Sequence, residues 1–295
     1  MKRIHIPVLL NESIQSLDIK PGGFYIDCTL GDGGHSFEIL KKLSKDGLLL
    51  SIDQDQHAID FVKQYYQGQI PDNWKLVRSN FSKIAEITKE YGRKPDGILM
   101  DLGLSSRQLE QSHNRGFSYL EENEPLDMRM DEELNVKAKD LLIVLSDKEL
   151  TKLFDTYGEE KYAYKIAKLI KRNIEDINTV GDLTRLVYRV VPAAHKSSKN
   201  PSRRVFQALR IVVNDELNSL KTGLEKSFEI LNKNGILTVI TFHSLEDRIV
   251  KDFFNNLSES GKGVSLYSEI IAPTDTEIER NPRSASSKLR SIKKS

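Results

Sequence analysis

The run FYIDCTLGDGGHSFE, residues 24–38, constrains the fold of this chain more than any other stretch. A short apolar segment (Phe24, Tyr25, Ile26) ends at Asp27, the glycines Gly31, Gly33 and Gly34 follow, and helix-compatible sequence begins near His35. This is the layout of a strand, a tight turn and a helix start. In a doubly wound sheet a nucleotide-like ligand sits there, because glycine lets the backbone approach it and a helix start offers unpaired N–H groups. The remainder of such a sheet is legible downstream. Residues 47–52 (GLLLSI) close on Asp53, residues 74–78 are followed by Asn80 and Phe81, and residues 97–100 (GILM) close on Asp101, with helix-like segments at 55–66 and 81–91. Alternation of this kind predicts an α/β fold, a parallel sheet covered by helices.

The alternation stops near Ser105. From there to Arg204 the sequence shows loops and amphipathic helices only, with capping boxes at Ser146/Glu149 and Thr179/Asp182. Tyr162, Ile166, Leu169 and Ile170 share one helical face, as do Leu183, Leu186, Val187 and Val190. The predicted organisation is therefore a discontinuous sheet domain, 1–104 with 205–295, interrupted by a helical insertion at 105–204, which is the candidate for substrate recognition. After the insertion, Asn200 and Pro201 open a long helix with an apolar face from Phe206 to Leu231, which Gly223 is expected to break or kink. Residues 236–242 (ILTVITF) form a fifth buried strand, followed by a helix capped by Ser244 and Asp247. Residues 264–271 and 288–292 are weaker strands expected to pair antiparallel at the sheet edge.

Composition bounds the partners. In 295 residues no apolar run reaches the ~18 of a membrane span, so the expected location is cytoplasmic, with no membrane association. Cys28 is the sole cysteine, which excludes disulfides within the chain and cysteine-rich zinc sites. The histidines at 5, 35, 57, 113, 195 and 243 show no paired spacing, and no metal site is expected. With a formal net charge of +1, attraction to nucleic acid would have to come from local basic patches.

The turn itself discriminates among ligands. A dinucleotide fingerprint read from Gly31 reaches Ser36 where the third glycine belongs, and a phosphate loop would need lysine where His35 follows Gly34. A turn rich in glycine and lacking lysine suits a ligand without a pyrophosphate, such as S-adenosylmethionine. Asp53 is then placed for the ribose hydroxyls, Phe81 for the adenine, and Asp101 for the methionine end and the transferable methyl. Any one such aspartate is as readily a turn former. Their recurrence at successive strand ends favours the ligand reading.

DCTLGDGGHS, MDLGLSSRQL, RGFSYLEENEPLDMRMD, YGEEKYAYKIAKLI, FQALRIVVNDEL, TFHSLEDRIVK and NPRSASSKLR, in this order, closely resemble the ribosomal RNA small subunit methyltransferase H family, also called MraW. The resemblance implies a class I (Rossmann-like) methyltransferase sheet with a helical insertion and S-adenosylmethionine as donor. It also implies methylation of the exocyclic N4 of one cytidine of 16S rRNA, in the decoding region of the small ribosomal subunit. By position it assigns the cofactor to Gly33, Gly34, His35, Asp53, Phe81, Asp101 and Gln108. Arg107, Asn200 and Ala285 depart from the family's usual proline, histidine and arginine, and none belongs to the cofactor set.

Methyl transfer from a sulfonium to an amine is an in-line displacement, in which positioning can supply roughly 7–11 kcal/mol. Cytosine N4 is a weak nucleophile, and acceptors for its hydrogens would localise its lone pair. Asp101, Ser105 and Ser106 are the catalytic candidates. Arg115 and Phe117 are candidates for the path of an unstacked base, or equally a packed loop. His243 faces the cytidine or packs against Asp247 as a helix-start residue. Lys196, Lys199, Arg203, Arg204 and Arg210, with the basic tail from Arg280, are candidate phosphate contacts. The competing function is an RNA-binding assembly factor without chemistry; a nicotinamide oxidoreductase is disfavoured by Ser36. Monomer and homodimer both stay open.

Overall fold

The structure, a computed structural model, describes residues 7–192 and 200–295; Lys196 and Lys199 lie outside the described residues. It divides into two compact units, one made of the chain up to Ser105 together with Leu217–Ser295, the other of Ser106–Glu216. The second border thus falls at Glu216 rather than near Arg204. The reason is local: the helix that follows Pro201 packs within the insertion.

The first unit opens with α1 (Leu10–Ser16), β1 (Phe24–Asp27), α2 (Gly34–Leu40), β2 (Leu48–Asp53), α3 (Gln56–Tyr65), β3 (Trp74–Arg78), α4 (Ile84–Lys89) and β4 (Gly97–Asp101). The second unit follows with α5 (Ser106–Glu110), α6 (Ala138–Val144), α7 (Asp147–Gly158), α8 (Ala163–Arg172), α9 (Val180–Val190) and α10 (Ser202–Val213). The chain then returns through α11 (Glu216–Ile230), β5 (Ile236–Thr241), α12 (Ser244–Glu259), β6 (Gly263–Ser265), α13 (Asp275–Arg280) and β7 (Lys288–Lys294).

The strands form one sheet in the order β3-β2-β1-β4-β5-β7-β6. The first five are parallel, whereas β7 runs antiparallel to both β5 and β6. Apolar runs such as Phe24–Asp27, buried throughout, suit strands covered on both sides. Phe24, Ile26, Ile98 and Met100 face a core with Leu220, Leu224, Val250 and Phe254. Tyr25, Leu49 and Leu99 point the other way, onto Ile14, Ile39, Ile59 and Val62. Because chain order reverses between β1 and β4, the switch point where such sheets bind ligands lies between the ends carrying Asp27 and Asp101.

Three expectations need correction. The helix predicted from 200 to 231 is two, α10 and α11, parted at Asn214 and at Asp215, whose φ is +48°. Gly223 does not break α11; a Cβ there would lie 2.5 Å from the Phe81 ring, so the glycine makes room for that side chain. The strand predicted at 264–271 is only the three residues of β6 plus an isolated bridge from Ile271 to Leu289.

In the second unit both predicted capping boxes form, at Ser146/Glu149 and Thr179/Asp182. Ile166 and Ile170 of α8 and Leu183 and Val187 of α9 are fully buried. Asn214 anchors the long loop before α6 by accepting from Met130 N at 2.7 Å and donating to Met128 O at 2.8 Å.

Candidate active site

The ends of β1, β2 and β4 carry carboxylates in three different states. Asp27 is fully buried and accepts from Thr29 N at 3.1 Å and from the Ser36 hydroxyl at 2.6 Å. Ser36 lies 2.7 Å from the Ser51 hydroxyl, which takes the Trp74 indole N–H at 2.9 Å. Ser36, the residue that breaks the dinucleotide fingerprint, therefore has a positive role, tying the helix after the turn to β1, β2 and β3. Burial pushes the Asp27 carboxyl up, and these hydrogen bonds oppose it.

Asp53 grips the turn from the neighbouring strand. One oxygen accepts Gly31 N at 2.9 Å and the other Asp55 N at 2.9 Å. Burial nevertheless raises its pKa to about 7. Gly33 holds a φ of +79°, and a Cβ on Gly34 would lie 2.3 Å from Pro7 Cγ, so the turn is both left-handed and overlain by the segment before α1.

Asp101 stands across the switch point. Its N–H donates to the Thr29 hydroxyl at 2.7 Å, which stitches the ends of β1 and β4 together. Oδ2 lies 3.6 Å from His35 Nδ1, and Oδ1 is buried with no hydrogen-bond partner among the described residues. Burial, then the charges of Asp27 and Glu246, push Asp101 well above the carboxylate range. The His35 ring is buried, its Nε2 lies 3.2 Å from Val8 O, and burial lowers its pKa to about 4. Both ring nitrogens thus face protein groups.

Phe81 opens a short 3-10 helix capped by Asn80, with its ring seated on Gly223. Ser105 approaches Gly31, where an added Cβ would lie 3.6 Å from its own Cβ. His243 is the N-cap of α12 and forms a capping box with Glu246, one residue earlier than the expected Ser244 and Asp247. Its Nε2 lies 3.1 Å from Glu246 Oε1, outside hydrogen-bond alignment. The histidine therefore packs on Glu246, not Asp247. Asp247 instead binds Lys288 at 2.9 Å and Arg290 at 2.8 Å, and Lys294 donates to Phe228, Glu229 and Leu231 carbonyls at 2.7–3.0 Å. These cations of the tail are structural, which corrects their reading as phosphate contacts.

Ser106 and Gln108 belong to α5 in the second unit, where Gln108 is buried. Arg115 and Phe117 are a packed pair rather than an open path. Arg115 is 3% exposed, donates to Ser112 O at 2.8 Å and lies 4.9 Å over the Phe117 ring. Arg210 is held by Glu216 at 2.7 Å. On α10, Arg203 is half-buried and Arg204 is exposed. Sequence reasoning missed Thr29, Ser36 and Val8. Asp27-Cys28-Thr29 carried a signal, since Asp-x-Thr invites the side-chain turn that forms.

An acid on each side of a left-handed glycine turn, with one buried oxygen that has no partner among the described residues, fits a ligand that brings hydroxyls and an amine and no pyrophosphate. A model of the MraW methylase family matches residues 2–295. The chain belongs to this family. It is 45% identical to a protein of Clostridium botulinum (strain Loch Maree / Type A3) named Ribosomal RNA small subunit methyltransferase H, over 98% of each chain. It is 46% identical to a protein of that name from Caldicellulosiruptor saccharolyticus, over 98% of this chain and 99% of the other. Among solved structures it resembles a putative rRNA-methylase from Clostridium thermocellum, with TM-score 0.50 and 12% identity over 99% and 100% of the two chains, a likeness of fold. The sheet is that of a class I, Rossmann-like methyltransferase. No helix among the described residues is long and apolar enough to cross a membrane.

Proposed function

We propose that the protein methylates the exocyclic N4 of a cytidine in 16S rRNA, in the decoding region of the small subunit, acting in the cytoplasm. The methyl donor is S-adenosylmethionine, whose sulfonium supplies an activated methyl group. The observation that carries this reading is Asp101, set at the switch point with a buried oxygen that no group among the described residues hydrogen-bonds. Family membership and the names borne by the relatives supply the RNA substrate class.

Asp53 fixes the Gly31 turn through the backbone and offers its remaining lone pairs to the ribose hydroxyls. Phe81, rigid on Gly223, is suited to face the adenine. Asp101 accepts a hydrogen from the target amine, which localises the nitrogen lone pair toward the methyl group, and Ser105 lies beside the same turn. Gln108 and Ser106, on α5, keep the cofactor and catalytic roles that the family resemblance and the loop after β4 suggest for them. That unit receives the RNA, with Arg203 and Arg204 as phosphate contacts.

The test is to incubate the protein with labelled S-adenosylmethionine and small subunits, or their rRNA, from cells lacking the modification. Mass spectrometry of the nucleosides should place label on N4 of one cytidine. Binding without transfer to any RNA would favour an assembly factor, and label on another atom would redirect the substrate assignment.

A further inference from the structure

Methylation of an exocyclic amine releases a proton, and some group must take it. Among the residues around Asp101, the orientation of His35 assigns that group. Val8 O can only accept, so the Nε2 that faces it at 3.2 Å carries the ring hydrogen. Nδ1 is then the lone-pair nitrogen, and it faces Asp101 Oδ2 at 3.6 Å. A carboxylate and an imidazole lone pair repel each other unless a proton lies between them. The like charges of Asp27 on β1 and Glu246 on α12 also push this carboxyl up. The facing lone pair and these like charges favour a neutral Asp101 with its proton on Oδ2 and with Oδ1 open, buried and without a partner among the described residues.

We propose that His35 is the proton acceptor of the reaction and acts through Asp101: the amine proton passes to Oδ1 as the Oδ2 proton passes to His35 Nδ1. This rests on the N4 methylation proposed above. As the carbon–nitrogen bond forms and the carbon–sulfur bond breaks, the amine holds one proton too many. Its N–H bond breaks and an Oδ1–H bond forms, while the Oδ2–H bond breaks and an Nδ1–H bond forms. Asp101 ends neutral as it began, the methylated amine is neutral, and the positive charge that arrived with the sulfonium rests on the imidazolium until solvent takes the proton. A weak base is sufficient, because an exocyclic nitrogen whose lone pair belongs to the ring is a strong acid once protonated. The 3.6 Å separation has to close to the ~2.6–3.2 Å of proton transfer when substrate is bound. His35 is a positioning and relay residue here, with Asp101 touching the amine.

His35→Gln separates this role from packing, since the amide still donates to Val8 O and accepts from Asp101 but cannot take up the proton. In single-turnover transfer to rRNA from cells lacking the modification, the variant should be slower by about 100-fold or more. Its solvent isotope effect should change from a curved, two-proton inventory to a linear one. Both ring nitrogens of His35 face protein groups, so its place in the cofactor set is through the backbone N–H, and cofactor affinity by calorimetry should stay within about twofold of wild type. Nitrogen NMR of the protein without cofactor should show His35 as the neutral Nε2–H tautomer at pH 7, a reading that needs no variant to fold. An Nδ1–H tautomer, an undiminished His35→Gln rate, or a rate loss matched by lost cofactor affinity overturns the relay while leaving the methyltransferase reading intact. A wild-type protein that transfers no methyl group to any RNA overturns the function itself.

Discussion

At the scale of single residues, the acids at the strand ends do unlike work because their surroundings differ. Asp53 carries two backbone hydrogen bonds, yet burial lifts it to about 7. Raised above its unfolded value, it contributes stability that is complete below pH ~4 and lost as pH rises through about 7. His35, lowered to about 4, does the reverse, its contribution being lost as pH falls from ~6.5 toward 4. Cofactor binding should follow Asp53, because an ionised carboxylate accepts both ribose hydroxyls. Calorimetry should show affinity rising as pH increases through about 7, a slope absent in Asp53→Asn. Asp53→Ala should lose ~1.5–3 kcal/mol of binding, at least about tenfold. Unchanged affinity would remove Asp53 from the site. Ser36→Ala strips a 2.6 Å hydrogen bond from buried Asp27 and should lower stability by ~1–3 kcal/mol in urea melts. The strand-end aspartates were legible because each closes an apolar run. The Asp27–Ser36–Ser51–Trp74 chain was not, because only the parallel register of β1, β2 and β3 brings those residues together. Arg115 stayed open between base path and packed loop for a related reason: a guanidinium looks the same in sequence whether it meets solvent or, as here, the carbonyl of Ser112.

At the scale of elements, periodicity showed which helices exist better than where they end. The apolar phase runs from Phe206 of α10 to Phe228 of α11 without a slip that would reveal the break at Asp215. Only Asn214, turned to Met128 and Met130, shows why the chain stops there. The α12 cap shifted for a similar local reason, since Glu246 reaches both Phe242 N and His243 N, at 2.9 and 3.3 Å. Strand β7 shows the opposite outcome. Its sequence, KLRSIKK, reads both as a weak antiparallel strand, which forms, and as part of a basic tail, but Leu289 and Ile292 are fully buried and its cations hold Asp247 and the carbonyls at the end of α11. Ile292→Ala should therefore cost ~2–5 kcal/mol by chemical denaturation, as for any fully buried core position. A change below ~0.5 kcal/mol would mean that β7 is not part of the core sheet.

At the scale of the whole molecule, the two units divide the proposed work between cofactor and RNA. Arg203→Glu with Arg204→Glu should weaken RNA binding and leave cofactor affinity as it is. If both residues meet phosphates, the slope of log affinity against log salt should become shallower by roughly 1.4, at ~0.7 per phosphate on single-stranded RNA. An unaltered slope in filter binding would make them ordinary surface cations. The division also has a consequence during synthesis. The second unit is one uninterrupted run, Ser106–Glu216, so all its packing partners exist before β5 is made. The first unit has β7 seated between β5 and β6, and its sheet cannot close until residues near 294 have left the ribosome, roughly 4–16 s later at ~5–20 residues per second. The nascent chain would thus carry the finished unit proposed to receive RNA on an unfinished one proposed to bind the cofactor, and on that proposal it could meet RNA before it can modify any.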